Sequence, residues 1–117
     1  MKKTAMIMVA TVALLVALFA AAAYADTIKG TQAADYLDVE TSGNDQIYGR
    51  GGADEIFATN WGQDTDKLYG GRGADELDAW DGDGNDVLNG GRGVDECWGD
   101  PGMDTFVGCE MINGLPA

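Results

Sequence analysis

An apolar residue recurs at a fixed place in eight blocks of nine residues, which together with six inserted residues fill positions 30 to 107. Because side chains on a strand alternate between two faces, places seven to nine of each block predict a short strand whose eighth residue points inward. Gly is common at the first, second and fourth places and permits tight turns between these strands. The eighth place holds Leu37, Ile47, Ile56, Leu68, Leu77, Leu88, Cys97 and Phe106.

An Asp occupies the sixth place of every block, where the loop meets the strand. Asp and Gly are both common in turns, which explains the composition. A turn preference alone does not explain why an apolar residue always follows the Asp two places later. The eight residues are Asp35, Asp45, Asp54, Asp66, Asp75, Asp86, Asp95 and Asp104.

Two blocks complete one coil, so alternate blocks are predicted to stack about 4.8 Å apart in parallel sheets. Carboxylates and loop carbonyls of neighbouring coils then meet in one gap. Such an irregular, oxygen-rich gap suits Ca²⁺, which accepts about six to eight oxygen ligands, better than Mg²⁺ with its octahedral requirement. The spacing therefore predicts gaps between stacked turns whose oxygen donors favour Ca²⁺.

The repeat resembles the calcium-binding nonapeptide of the repeat-in-toxin (RTX) family, G-G-x-G-x-D-x-U-x, where U is a large apolar residue. The blocks GGRGADELD (70–78) and GGRGVDECW (90–98) match every defined place if Cys97 counts as apolar. The resemblance implies an all-β fold, a right-handed parallel β-roll (β-solenoid) of about four coils with two nonapeptides per coil, and Ca²⁺ as the cofactor. The metal-site residues that it implies are Asp45, Asp54, Asp66, Asp75, Asp86, Asp95 and Asp104, with the loop residues Gly70, Arg72, Gly73, Gly90, Arg92 and Gly93.

Insertions fall on only one edge of the predicted roll, before three of its blocks: Val39, residues 58–60 and residues 79–80. We name this the irregular edge, with Asp45, Asp66, Asp86 and Asp104, and its counterpart the regular edge, with Asp35, Asp54, Asp75 and Asp95. On the regular edge we expect ions between Asp54 and Asp75 and between Asp75 and Asp95. Asp35, whose loop lacks the second and fourth Gly, is expected to form a cap.

The block at residues 61–69 lacks Gly at its first and fourth places, which weakens the case for ions beside Asp66. Asp64 is a further candidate ligand there. Residues 81–86 are similar to the start of an EF-hand loop, but the Gly and the twelfth-place Glu that such a loop requires are missing. Asp81 and Asp83 are therefore auxiliary candidate ligands.

Residues 1–25 have the form of a secretory signal peptide, with Lys2 and Lys3, a long apolar run, and Ala23-Tyr24-Ala25 as a cleavage site. The alternative is an uncleaved membrane anchor. Cleavage before Asp26 leaves five basic residues against twenty acidic ones, a net charge of −15. Repulsion from phosphate then argues against nucleic acid as a partner, and no membrane contact is expected after cleavage.

The sequence contains no His, a single Ser and two Cys. These absences exclude a Ser-His triad and a His-containing zinc site within this chain, and no enzyme activity is predicted. Export predicts a disulfide between Cys97 and Cys109 that closes the last coil, the alternative being free thiols in the core. Met111, Ile112 and Leu115 are expected to cover the C-terminal end.

The predicted organisation is a signal peptide at 1–25, a calcium-binding roll at 26–107 and a C-terminal cap at 108–117. The predicted function is that of a secreted protein, extracellular or in the periplasm or cell envelope, that folds on binding Ca²⁺ and has no catalytic domain. The alternative is a calcium-rigidified adhesin-like module that binds a cell surface, matrix or glycan. A single aromatic cluster would favour that alternative, whereas scattered aromatic residues would favour calcium binding alone.

Overall fold

The computed structural model describes residues 27–39, 43–59, 64–82 and 84–117. These residues form short strands joined by turns. Within these ranges no helix is long and apolar enough to cross a membrane. The predicted signal peptide and its cleavage site lie outside the described residues. The strands are β1 Thr27–Lys29, β2 Tyr36–Asp38, β3 Gln46–Tyr48, β4 Glu55–Phe57, β5 Lys67–Tyr69, β6 Glu76–Asp78, β7 Val87–Asn89, β8 Glu96–Trp98, β9 Thr105–Val107, β10 Met111–Ile112 and β11 Leu115–Pro116.

The strands form two sheets because successive blocks alternate between the two sides of the coil. The odd sheet has the parallel order β1-β3-β5-β7-β9, and the even sheet has the order β11-β10-β8-β6-β4-β2. The eighth-place residues of adjacent strands lie in register, as in the pairs Ile47 with Leu68 and Ile56 with Leu77. The predicted stacking of alternate blocks is confirmed, and the fold is an all-β parallel solenoid of about four turns.

The core lies between the two sheets, and each sheet contributes one stack of eighth-place side chains to it. From Leu37 to Cys97 these side chains are at most 1 % exposed. Three inserted residues, Val39, Ala58 and Ala79, are also buried in this core. Small inserted side chains therefore fill the corners of the roll and do not interrupt its interior.

The roll begins one strand earlier than the eight predicted blocks. Ile28 is 6 % exposed, belongs to the core and pairs in register with Ile47. The sequence carried a signal for this strand, because Asp26-Thr27-Ile28 repeats the phase of Asp, any residue, apolar residue. The missing Gly-rich loop before it concealed the match.

The C-terminal end is closed by a strand and by the predicted disulfide. Cys97 and Cys109 are bonded, which confirms that prediction. β10 continues the even sheet in parallel, with Ile112 beside Cys97 and packed against the core. Leu115, also expected to cover this end, pairs with Ile112 and is 69 % exposed. β11 turns back antiparallel on β10, beyond the last core residue.

Candidate metal sites

The sixth-place Asp residues form one carboxylate ladder along each edge. The backbone N–H of each donates a hydrogen bond to Oδ1 of the sixth-place Asp in the next coil. On the regular edge the N–H donors Asp35, Asp54 and Asp75 reach Oδ1 of Asp54, Asp75 and Asp95, each at 2.9 Å. On the irregular edge Asp45, Asp66 and Asp86 reach Asp66, Asp86 and Asp104 at 2.8, 2.7 and 2.9 Å.

The second carboxylate oxygen, Oδ2, is buried in most of these residues and accepts no hydrogen bond. Leaving a buried carboxylate oxygen unpaired is costly, and such atoms in native proteins usually mark a bound ion, a water or a strained site. Between the coils, a cation would satisfy these oxygens. The oxygens are Oδ2 of Asp54, Asp66, Asp75, Asp86 and Asp95.

The electrostatics of the metal-free ladder disfavour ionised carboxylates. Burial, the largest cause, together with the charges of Asp75 and Asp35 raises the pKa of Asp54 to about 8, although the hydrogen bond from the Asp35 backbone lowers it. Burial likewise raises the pKa of Asp86 to about 8, with the neighbouring charges of Asp104, Asp81 and Asp66 adding to the shift. The pKa of Asp66 is raised to about 7 and that of Asp95 to about 6, again chiefly by burial. A positive ion in the gaps would therefore offset both the cost of burying the charged carboxylates and their mutual repulsion.

Carbonyl oxygens converge on the same gaps along the regular edge. A side chain built on Gly70 would meet Oδ2 of Asp75 at 2.5 Å and the carbonyl oxygen of Gly90 at 2.7 Å. A side chain on Gly49 would likewise meet Oδ2 of Asp54 and the Gly70 carbonyl. A Gly at the first place thus leaves room between a carboxylate oxygen and a carbonyl oxygen. This pair of donors suits a hard cation.

The remaining loop residues of the predicted sites have mixed roles. The Arg92 carbonyl accepts a 3.1 Å hydrogen bond from the Gly73 N–H, and the Arg72 N–H donates to the Arg50 carbonyl at 2.7 Å. A side chain on Gly93 would run into the Gly73 carbonyl, so these loops are stacked closely. The side chains of Arg72 and Arg92 are exposed. Any contribution of these two residues to ion binding would come from the backbone.

The two ends of the ladders differ from the middle. Thr31 donates to both carboxylate oxygens of Asp35 from its hydroxyl at 3.0 Å, and its N–H donates to Oδ2 at 2.5 Å, in line with a capping role. Both carboxylate oxygens of Asp104 also accept hydrogen bonds, Oδ1 from Asp86 and Oδ2 from the Asp100 N–H at 2.6 Å. Protein donors therefore already serve these terminal carboxylates.

The regular edge has a last member, Glu110, that the repeat pattern did not predict. Oε1 of Glu110 accepts a 2.9 Å hydrogen bond from the Asp95 N–H, which is the bond that a sixth-place Asp makes elsewhere. The loop before Glu110 is shortened to Gly108 and Cys109, and this shortening hid the residue. The phase of acid, any residue, apolar residue in Glu110-Met111-Ile112 was the available signal.

On the irregular edge, three carboxylates cluster although the repeat is weakest there. Ligand atoms of Asp64, Asp66 and Asp81 all lie within 4.8 Å of one another, and all three residues are buried. Asp83, the other auxiliary candidate, lies outside the described residues, as does Trp61. Asp64 thus stands where the repeat has its fourth-place Gly, and its carboxylate lies beside that of Asp66.

Aromatic side chains form three separate pairs. Tyr48 and Tyr69 stack on the odd sheet with ring centroids 4.7 Å apart. On the even sheet, Tyr36 contacts Phe57 at 5.3 Å, and Trp98 lies 6.5 Å from Trp80 near the other end. No single aromatic cluster is present among the described residues, so the glycan-binding alternative gains no support.

Outside the ladders, the even sheet carries a column of glutamates. Glu55, Glu76 and Glu96 lie in register on adjacent parallel strands. Burial raises the pKa of Glu76, and the charges of Glu55 and Glu96 raise it further. The column therefore opposes the stacking of the coils.

A scan against family models matches four copies of the RTX calcium-binding nonapeptide repeat, at residues 41–60, 62–83 and 79–106. Together these matches cover more than half of the chain. Comparisons with curated proteins and with solved structures find no significant match. The matched residues include seven of the eight sixth-place Asp residues, from Asp45 to Asp104. The chain therefore belongs to the family of RTX calcium-binding nonapeptide repeat proteins.

Proposed function

We propose that this protein is a secreted calcium-binding β-roll that acquires its fold when Ca²⁺ binds, and that has no catalytic domain. One observation carries the proposal: five ladder carboxylates each keep a buried Oδ2 that accepts no hydrogen bond. Ca²⁺ accepts carboxylate and carbonyl oxygens in variable geometry, which matches the donors at these gaps.

The proposed sites lie between consecutive members of each ladder. On the regular edge Asp54, Asp75 and Asp95 would hold Ca²⁺ with carbonyl oxygens from the loops of Gly70 and Gly90. On the irregular edge Asp66 and Asp86 would do so, with Asp45 and Asp104 as the outer members. The proposal also includes a cleaved signal peptide at 1–25, a roll at 26–107 and a C-terminal cap at 108–117.

Calcium would supply stability that the core cannot. The core is small, and its largest fully buried members are Leu and Ile. After the proposed cleavage the chain has five basic and twenty acidic residues, a net charge of −15, and it gains too little from burial to offset chain entropy and repulsion. When bound, Ca²⁺ supplies the positive charge that cancels repulsion between stacked carboxylates. Free energy of ion binding then becomes free energy of folding.

Far-ultraviolet circular dichroism during a calcium titration of the purified protein tests the proposal. We expect little β-structure in calcium-free buffer and a cooperative gain at about 10⁻⁴ to 10⁻³ M Ca²⁺, the range of extracellular calcium modules. Mg²⁺ at the same concentration is the control and should not produce the transition. A full β-spectrum without calcium, unchanged on its addition, would contradict the proposal.

A further inference from the structure

The cluster of Asp64, Asp66 and Asp81 lies on the irregular edge. Asp66 directly precedes β5, the central strand of the odd sheet. The three side chains are 6 %, 0 % and 3 % exposed, respectively. Asp66 uses Oδ1 to accept a 2.8 Å hydrogen bond from the Asp45 N–H. Its Oδ2 is buried and accepts no hydrogen bond. This atom is an observation separate from the clustering of acids, because it shows a fully buried charge-bearing oxygen with no donor.

The ligand set differs in kind from that of the regular edge. The regular-edge gaps between Asp54, Asp75 and Asp95 contain sixth-place carboxylates and backbone carbonyls, since the first and fourth places of those blocks are Gly. Asp64 occupies a fourth place and Asp81 a first place, so both add a carboxylate where the repeat normally offers only backbone. Within the described residues, this is the one group of three acids close enough to share an ion.

We propose that Asp64 and Asp81 join the ladder residue Asp66 in a high-affinity site for a hard, highly charged cation, Ca²⁺ or a trivalent lanthanide, which fills before the other sites of the roll. The inference rests on the proposed calcium-binding function and adds an order of filling to it. Affinity of oxygen sites rises with the number of charged ligands and with their rigidity. Three buried carboxylates held by stacked loops carry more negative charge than the two sixth-place carboxylates that border a regular-edge gap.

Filling this site first has a structural consequence. β5 pairs with both β3 and β7, so an ion beside Asp66 orders the central coils of the odd sheet. In a solenoid each coil is stabilised only by its neighbours, and order spreads outward from a stable coil. A block that lacks two of the repeat's Gly residues thus becomes the point from which the roll assembles.

Terbium luminescence together with calorimetry tests the order of filling. Trp80 directly precedes Asp81 and can sensitise Tb³⁺ bound there. We expect the wild-type protein to bind one Tb³⁺ or Ca²⁺ well before the rest. Asp64→Asn and Asp81→Asn should each weaken that first ion by about tenfold or more. The later binding steps should shift by less than about twofold, because their ligands are unchanged.

Glu55→Gln is the matched control, since it removes the same charge from an exposed position on the even sheet. Asp64→Gly restores the Gly that the repeat has at its fourth place. It serves as a second variant in case Asp64→Asn does not fold. It should reach the full β-spectrum in excess calcium without the tight first step. First-ion affinities of Asp64→Asn and Asp81→Asn equal to that of Glu55→Gln, in protein that still binds calcium, would overturn this inference and leave the proposed function standing. Absence of any ion binding by the wild type would instead overturn the proposed function itself.

Discussion

The backbone N–H of Asp54 donates a 2.9 Å hydrogen bond to Oδ1 of Asp75, which lies one coil further along the chain. Oδ2 of the same Asp75 is buried and accepts no hydrogen bond. One carboxylate thus joins two coils through one oxygen and offers the other to an ion. Ion binding and coil stacking are coupled in a single side chain, and substitutions along the ladder should affect both.

Asp75→Asn should weaken calcium binding and broaden the folding transition. Asn keeps an oxygen that can accept the hydrogen bond from Asp54, but it removes a charge from the two gaps that Asp75 borders. We expect the calcium midpoint measured by circular dichroism to rise by about threefold to tenfold, because affinity follows ligand charge.

Asp78→Asn is the control for that variant. Asp78 lies outside the ladder, and its Oδ1 accepts a 3.0 Å hydrogen bond from the Trp80 N–H, which Asn can also accept. Asp104→Asn, at the end of its ladder, should have a smaller effect than Asp75→Asn. Equal midpoints for Asp75→Asn and Asp78→Asn would show that the assigned phase of the repeat is wrong.

Glu76→Gln should have the opposite effect to Asp75→Asn, although the two residues are adjacent. Glu76 points away from the core between Glu55 and Glu96, whose charges help to raise its pKa. Removing its charge relieves repulsion between stacked strands, which we expect to stabilise the roll by a few tenths of a kcal/mol, or about 0.5 kcal/mol at most. The calcium midpoint should fall slightly and become less dependent on salt. A midpoint that rises would indicate that Glu76 contributes to an ion site.

The strands and their alternation between two sheets were predictable because a fixed period determines both. The disulfide was predictable because the sequence has only two Cys and is predicted to be exported to an oxidising compartment. An apolar residue every nine positions specifies which side chain points inward, and the position of Cys97 in that series places it at the end of the core. The distinction between regular and irregular edges followed from where the insertions fall. None of these predictions required knowledge of side-chain contacts.

Contacts that depend on loop length were not predictable in the same way. The regular edge continues through Glu110 only because a shortened loop brings that residue beside Asp95. Asp64 and Asp81 meet because a three-residue and a two-residue insertion shift their loops. Sequence alone also does not show which oxygen of each Asp is hydrogen bonded, since that depends on the register of neighbouring coils.

Gly71→Ala should destabilise the roll more than Gly102→Ala does. Both glycines have left-handed backbones, with φ of 92° and 81°. A side chain on Gly71 would run into the Arg50 carbonyl, which accepts the Arg72 N–H, whereas one on Gly102 meets nothing within 4 Å. We expect a loss of about 1 kcal/mol for Gly102→Ala from the backbone alone. Gly71→Ala should lose about 3 kcal/mol because the coils must move apart.

Thermal unfolding of the two variants in saturating calcium measures that difference. The shared left-handed conformation cancels in the comparison, so the remainder reports the close approach of neighbouring coils. Equal losses for the two variants would mean that the coils are not stacked as closely at Gly71 as the structure indicates.

Breaking the bond between Cys97 and Cys109 should destabilise the C-terminal coil. The bond closes a short loop, with 12 residues of sequence separation, and a loop of that size contributes about 3 kcal/mol through the unfolded state. Because Asp95 and Glu110 flank the loop, its release should also weaken the last regular-edge gap. We expect reduction, or replacement of both Cys by Ala, to lower the melting temperature in calcium and to raise the calcium midpoint. Unchanged values after verified reduction would contradict this role.

Acidification should promote folding of the calcium-free chain. In the folded roll, burial and neighbouring charges raise the pKa of Asp54 and Asp86 to about 8, far above the unfolded value of 3.8. A carboxyl group with a raised folded-state pKa contributes stability that is fully present below its unfolded pKa. That contribution is lost as the pH rises through the folded pKa. Metal-free stability should therefore fall as the pH rises from the unfolded value of 3.8 to about 8, the highest of the raised values for Asp95, Asp66, Asp54 and Asp86.

Circular dichroism in calcium-free buffer from pH 4 to pH 9 measures this dependence, with β-structure expected to increase towards the acid end. Lower net charge at acid pH acts in the same direction, so a variant is needed to separate the ladder from the general effect. Asp54→Asn with Asp86→Asn removes the two groups with the highest pKa values and mimics their neutral form at every pH. It should keep more β-structure than the wild type at pH 8 and respond less to acid. A β-signal that decreases on acidification, or an equal pH response in the variant, would show that buried ladder carboxylates do not limit folding of the metal-free chain.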